Sequence, residues 1–176
     1  MTKTLHLSAS PLAPPRVSSA ASIALTDIES GDLRDITELW HGWRGIRYLP
    51  SHTDMSVGQL GRHLPKVSLI RVIDGGTDYE FRVIGDTHVQ IYGSTFQGKR
   101  MTDVIAVAPK VARFLKTPCD LVRTTRQPHA FRGVFGQEPS ASFGWFEACY
   151  LPFGDRIAGV DHILNAAVYK AHCPPP

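Results

Sequence analysis

The sequence predicts an α+β fold, a five-stranded antiparallel sheet with flanking helices and an N-terminal helical extension. Three observations carry this prediction. Tyr79, Phe81 and Val83 alternate with Glu80 and Arg82, the period of a half-buried strand, and their aromatic and β-branched character agrees. Leu33, Ile36, Leu39, Trp40 and Trp43 recur at helical spacing and form one apolar stripe. Strand-length apolar segments after residue 128 are separated by turns rich in Gly, Pro and Ser.

Composition bounds the rest. With 176 residues, 43% hydrophobic and 20% charged, the chain can bury one sizeable core and no independent second one. It divides into a flexible arm (1–29), a domain (30–171) and a short tail (172–176). The arm is rich in Ser, Ala, Thr and Pro and lacks apolar periodicity. The net charge of +3 comes from 19 basic and 16 acidic residues that are scattered rather than striped, which argues against a nucleic-acid partner. Cys119, Cys149 and Cys173 are widely spaced and form no CxxC, so reduced thiols are expected rather than a disulfide framework or zinc knuckle. No run of 18 apolar residues exists, and Pro11, Pro14 and Pro15 interrupt any secretory segment; a soluble, cytoplasmic protein with no membrane partner is expected.

In order, the first helix is predicted from about Leu33, with Asp32 as its cap. Leu49, Pro50 and Ser51 make a turn. Ser56 caps a short second helix, with Gln59 reaching back to it and Met55 stapled onto Leu60, and this helix must end before Pro65. Val67 to Ile73 is the first strand, and Asp74 to Asp78 is the loop into the strand through Tyr79, Phe81 and Val83. That strand stops at Gly85. Asp86 or Thr87 then caps a short helix, the latter with Gln90, and Gly93 ends it. Gly98 marks a turn before Met101 and Val104. From Val104 to Gln127, Val107, Val111, Phe114 and Leu115 lie on one face, with Pro109 in a first turn and a second helix start at Thr117, Pro118 and Asp120. Three strands close the domain: His129 to Phe135, Phe143 to Pro152 and Ala158 to Tyr169, joined by turns at Gly136 to Ser140 and Gly154 to Arg156.

The string FRVIGDTHVQIYGSTFQGKRMTDV resembles the second strand and following helices of PAS domains, in particular a single-domain PAS family of alphaproteobacterial type. The matching residues are Phe81, Arg82, Gly85, Tyr92, Gly93, Gly98, Arg100 and Asp103. Residues 39 to 72 are similar to that family's Trp-rich entry helix, Leu-Pro turn and second helix, and residues 150 to 169 to its closing hairpin. The resemblance spans roughly residues 32 to 170. It implies that the helices between the second and third strands lie across the sheet as the lid of a pocket, and that the chain is a sensory or regulatory module in signal transduction.

Catalytic motifs are missing from the sequence: there is no GxGxxG, GxxxxGK[ST], HExxH or GxSxG. The eight histidines are dispersed. His162 neighbours Asp161, but strict strand alternation sends the two to opposite faces, so no relay is expected, and no metal site is expected because metal ligands normally come in sets or with a defined pocket. His88 and His129 read as ordinary structural residues. Among PAS cofactors, flavin adduct chemistry needs a Cys that Gly93 to Asp103 lacks, haem usually takes a His that Val104 to Arg126 lacks, and a thiol-linked chromophore would need Cys119. The cofactor therefore stays unassigned.

The remaining candidates are pocket residues: Phe81, Tyr92, Phe96, Phe114, Trp145 and Tyr150, with Arg82 as the one charge embedded in the central strand. Aromatic residues at such positions fill cores first. Arg82 either holds an anion or pairs with Glu80, Asp86 or Asp103. Trp40 and Trp43 either pack internally or form an interaction surface for a second copy or a signalling partner. Three functions follow: a non-catalytic sensor of a small molecule, a ligand-free interaction adaptor, or a small α+β enzyme using His162 or Asp161 as base.

Overall fold

The computed structural model describes residues 17–135 and 144–170. Six strands, one more than expected, form a single antiparallel sheet: β1 (Val17–Ile23), β2 (Val67–Ile73), β3 (Asp78–Ile84), β4 (His129–Phe135), β5 (Trp145–Asp155) and β6 (Gly159–Lys170). Their order across the sheet is β1-β4-β5-β6-β2-β3. Five α-helices flank it: α1 (Gly31–Arg44), α2 (Val57–Leu60), α3 (Asp86–Tyr92), α4 (Met101–Val107) and α5 (Pro109–Thr125). The fold is α+β, as predicted.

The sixth strand lies in the expected flexible arm. Residues 17–23, VSSAASI, carry little apolar periodicity, but their backbone pairs antiparallel with β4, with Ala20 opposite Gly133 and Ser22 opposite Phe131. A strand of small residues can be held at a sheet edge by main-chain hydrogen bonds that its own side chains do not announce. Ile28, also in the presumed arm, is buried in the core. Residues 1–16, the expected turn at 136–140 and the tail at 172–176 lie outside the described residues.

Helix α1 covers one face of the sheet. It is capped by Ser30, whose side chain accepts from the Leu33 N–H, rather than by Asp32. Trp40 and Trp43 are 1% and 9% exposed. The Trp40 indole N–H donates to the Pro152 carbonyl at 2.8 Å, and that of Trp43 donates to Gln59 Oε1 at 2.7 Å. The proposed interaction face is therefore core, and Gln59 is drawn to Trp43 while Ser56 caps α2 as expected. The fully buried Glu147 carboxylate on β5 locks the start of α1. It accepts from the Glu29 and Ser30 N–H groups at 3.1 and 2.9 Å and from Arg132 Nη2 at 2.8 Å. Burial pushes its carboxyl upward, but the hydrogen bonds from Ser30, Arg132 and Glu29 outweigh this and leave it below the usual range.

The opposite face is covered by α5, with Phe114 edge-on to Phe146 at a centroid distance of 5.2 Å. This helix runs unbroken through the expected second start. Pro118 lacks an N–H, so Phe114 loses its i+4 donor, but the buried ring compensates and the helix continues. Asp120 is used otherwise: its carboxylate accepts from the Tyr79 hydroxyl and from Lys116 Nζ, both at 2.5 Å.

The remaining departures are local. Helix α3 has Gly85 as its cap residue with no side-chain cap, in place of Asp86 or Thr87. A Cβ at Gly85 would lie 2.4 Å from the Pro65 carbonyl oxygen, a close approach that only glycine permits. His88 in α3 is a satisfied core residue. Its Nε2 donates to the Lys66 carbonyl at 3.0 Å, so Nδ1 accepts from the Ser68 hydroxyl at 2.7 Å, and burial lowers its pKa to about 4. No helix of the described residues is long and apolar enough to cross a membrane.

Candidate functional site

Between α5 and the β1-β4-β5 part of the sheet lies a cavity of about 280 Å³. Its walls follow from two periodicities. On β5, alternation turns Phe146, Ala148 and Tyr150 toward α5 and leaves Glu147 and Cys149 for α1. On α5, Phe114, Thr117 and Pro118 stand at the i, i+3, i+4 spacing of one face. Phe131 adds the β4 wall, edge-on to Tyr150 at 5.8 Å. The exposed β1 residues Ala20 and Ser22 form the rim.

The lining is aromatic with few polar groups. Tyr150 is 2% exposed and borders the cavity. Burial pushes that phenol well above its ordinary pKa, so it stays a neutral donor. Burial likewise raises the thiols of the nearby core residues Cys119 and Cys149, the latter to about 12, which removes them as nucleophiles or chromophore anchors. The arrangement can cradle a small, largely apolar molecule and offer it the Tyr150 hydroxyl.

The seven predicted pocket residues divide into separate places. Phe114 and Tyr150 meet in the cavity. Phe81, Tyr92 and Phe96 form a second aromatic cluster, with centroids at 6.1 Å from Phe96 to each of the others, at the β3 and α3 end; all three are buried. They fill core there and do not line the cavity. Trp145 faces away from it by strand alternation, and the Lys170 ammonium sits 4.4 Å from its ring centroid. Arg82 lies on the exposed side of β3, an edge strand and not a central one, and donates to Glu80 Oε1 at 3.0 Å. The expected pairing with Glu80 holds, and the anion-binding alternative loses its buried setting. The sequence reading missed Phe131, Phe146 and Ala148, although the alternation of β5 around Glu147 marks the last two.

A second group was excluded on the strict alternation of β6, and the structure corrects that. His162 Nδ1 and Asp161 Oδ1 are 2.8 Å apart. In the β5-β6 ladder Phe153 faces His162 and Gly154 faces Val160, so Asp161 is the extra residue of a β-bulge. A bulge suspends alternation and lets neighbouring side chains meet. Gly154 serves this geometry: its φ is 149°, and a Cβ there would lie 2.0 Å from the Gly159 carbonyl oxygen. Gly154 also donates its N–H to the Pro50 carbonyl at 2.9 Å, which draws the 3-10 turn of His52–Asp54 over the hairpin. Comparison of the chain with family models, with curated proteins and with solved structures found no match in any of the three.

Proposed function

We propose that the chain is a non-catalytic, PAS-type sensory or regulatory domain that binds a small, largely apolar molecule in the cavity beneath α5. The observation that carries the reading is a partly open aromatic cavity of about 280 Å³ on whose wall stands Tyr150, its phenol kept neutral by burial. A ligand acceptor in the cavity can take a hydrogen bond from that hydroxyl. The order of elements supports the architecture implied by the resemblance: two strands, then helices across the sheet, then three strands, with α1 before them and β1 added at the edge. Signalling would follow if an occupant biased α5 between two positions on the sheet, the ligand shifting populations by its unequal affinity for them.

The adaptor reading has less support, because Trp40 and Trp43 are committed to the core. The test compares the native mass of gently purified protein with its denatured mass and then uses acetophenone, an aromatic ring with one carbonyl acceptor, as probe. Acetophenone should raise the melting temperature of the wild type. Tyr150→Phe should weaken binding about 5- to 10-fold, the loss of one hydrogen bond, and Ala148→Leu should abolish it by filling the cavity. A bare native mass together with a probe response that Ala148→Leu leaves unchanged would reject the pocket and return the adaptor reading.

A further inference from the structure

The group at the β5-β6 bulge contains the metal-ligating side chains that the function proposed above does not use. His52, Asp161 and His162 each offer one ligand atom, and these atoms all lie within 4.8 Å of one another. The two imidazole rings are 4.0 Å apart between centroids. Asp161 Oδ1 is 2.8 Å from His162 Nδ1 and 3.7 Å from His52 Nδ1. His52 Nδ1 is itself buried without a hydrogen-bond partner, although the side chain as a whole is 41% exposed. A buried imidazole nitrogen aimed at a carboxylate beyond hydrogen-bond reach is unfavourable as it stands. It is well placed for an ion between the two.

We propose that His52, Asp161 and His162 bind a divalent transition ion of the zinc class, with remaining coordination positions supplied by water. Tetrahedral ligands at about 2.0–2.1 Å from zinc stand roughly 3.4 Å from each other. The observed 2.8 and 3.7 Å separations bracket that value, so small side-chain rotations suffice. Two neutral imidazoles and one carboxylate select borderline metals over calcium or magnesium, which require oxygen ligands. On binding, His162 gives up its hydrogen bond to Asp161 and presents Nδ1 to the ion, its one ring proton moving to Nε2 with no net release.

The surrounding charges are compatible. Burial lowers the pKa of His162, with His52 and Arg71 adding to this against the Asp161 hydrogen bond. Arg71 stands opposite His162 in the β2-β6 ladder, and Glu80 lies 3.6 Å from its Nε. Asp54 belongs to Arg47, at 2.7 Å, and to the Ser51 N–H. Backbone supports hold both sides of the group: the Gly154 to Pro50 bond fixes the 3-10 turn, and the bulge fixes Asp161 beside His162. The ion would thus clamp the segment between α1 and α2 onto the hairpin.

The test is a titration of the full chain with Co²⁺ near neutral pH, read by visible d–d absorption. The expected result is saturation at one ion per chain with the intense spectrum of a four- or five-coordinate site. His52→Ala should weaken binding at least about tenfold, as should His162→Ala, while His129→Ala leaves it unchanged. Mg²⁺ should not compete. His52 is on a partly exposed turn, so its variant decides the matter even if His162→Ala fails to fold; circular dichroism verifies that it keeps the wild-type fold. A spectrum that stays that of the hydrated ion, or identical titrations of wild type and His52→Ala, would overturn the site and leave Asp161 as a partner that only orients His162.

Discussion

Strand β5 separates two unlike halves of the molecule. Toward α1 it presents Glu147, Cys149 and Phe153, which meet the Ser30 N–H, the Thr37 hydroxyl and the Trp43 ring. Toward α5 it presents Phe146, Ala148 and Tyr150, which border a cavity of about 280 Å³. On the α1 side the polar groups named here find partners and the tryptophans are buried against the sheet. On the α5 side a volume is left unfilled beside the Tyr150 side chain. Successive residues of one strand therefore serve opposite purposes: the odd positions anchor the scaffold, and the even ones line the space proposed for a ligand.

Substitutions on the two faces should differ accordingly. Glu147→Ala removes a carboxylate that accepts from two backbone N–H groups and Arg132, and urea unfolding should show a loss of about 3–4 kcal/mol. A loss below about 1 kcal/mol would mean that the anchoring of α1 resides elsewhere.

The next effect concerns His88 and pH. Its folded pKa of about 4 lies below the ordinary 6.5 because burial disfavours the cation. Below the ordinary value the unfolded chain takes up a proton that the folded chain refuses, so stability is full above about 6.5 and falls as the pH drops toward 4. The loss approaches about 3 kcal/mol, the product of the shift and ~1.4 kcal/mol per unit. Unfolding measured across this window should show that slope, and His88→Gln should flatten it. An unchanged slope in the variant would assign the acid sensitivity to other groups.

The smallest effects are expected at the cavity. Ala148→Leu and Tyr150→Phe should each change stability by less than about 1 kcal/mol, since one adds methylenes to existing space and the other removes a single hydroxyl at the cavity wall. Should either cost as much as Glu147→Ala, the contrast between the two faces would fail.

Much of this was legible from residue order. The strand-length segment Val67 to Ile73 and the alternation of Tyr79 to Val83 gave β2 and β3, the stripe of Leu33, Ile36, Trp40 and Trp43 gave α1, and Ser56 gave the cap of α2. Each is a local pattern whose period or hydrogen bond involves neighbours in the chain. The site was legible only in part: Phe114 and Tyr150 were named, but so were Phe81, Tyr92 and Phe96, because an aromatic side chain carries the same sequence signal whether it borders a space or fills one.

By itself, then, the sequence determined the fold class, the helix stripe and most of the strands, since periodicity and capping act over a few residues. Tertiary structure alone decided the rest. Strand β1 exists because β4 offers its backbone; α5 passes through Pro118 because the ring is buried; and Asp161 meets His162 because Gly154 allows a bulge two strands' pairing must agree on. In each case the stabilising partner is distant in the chain, and its contribution outweighs a local preference of the sequence.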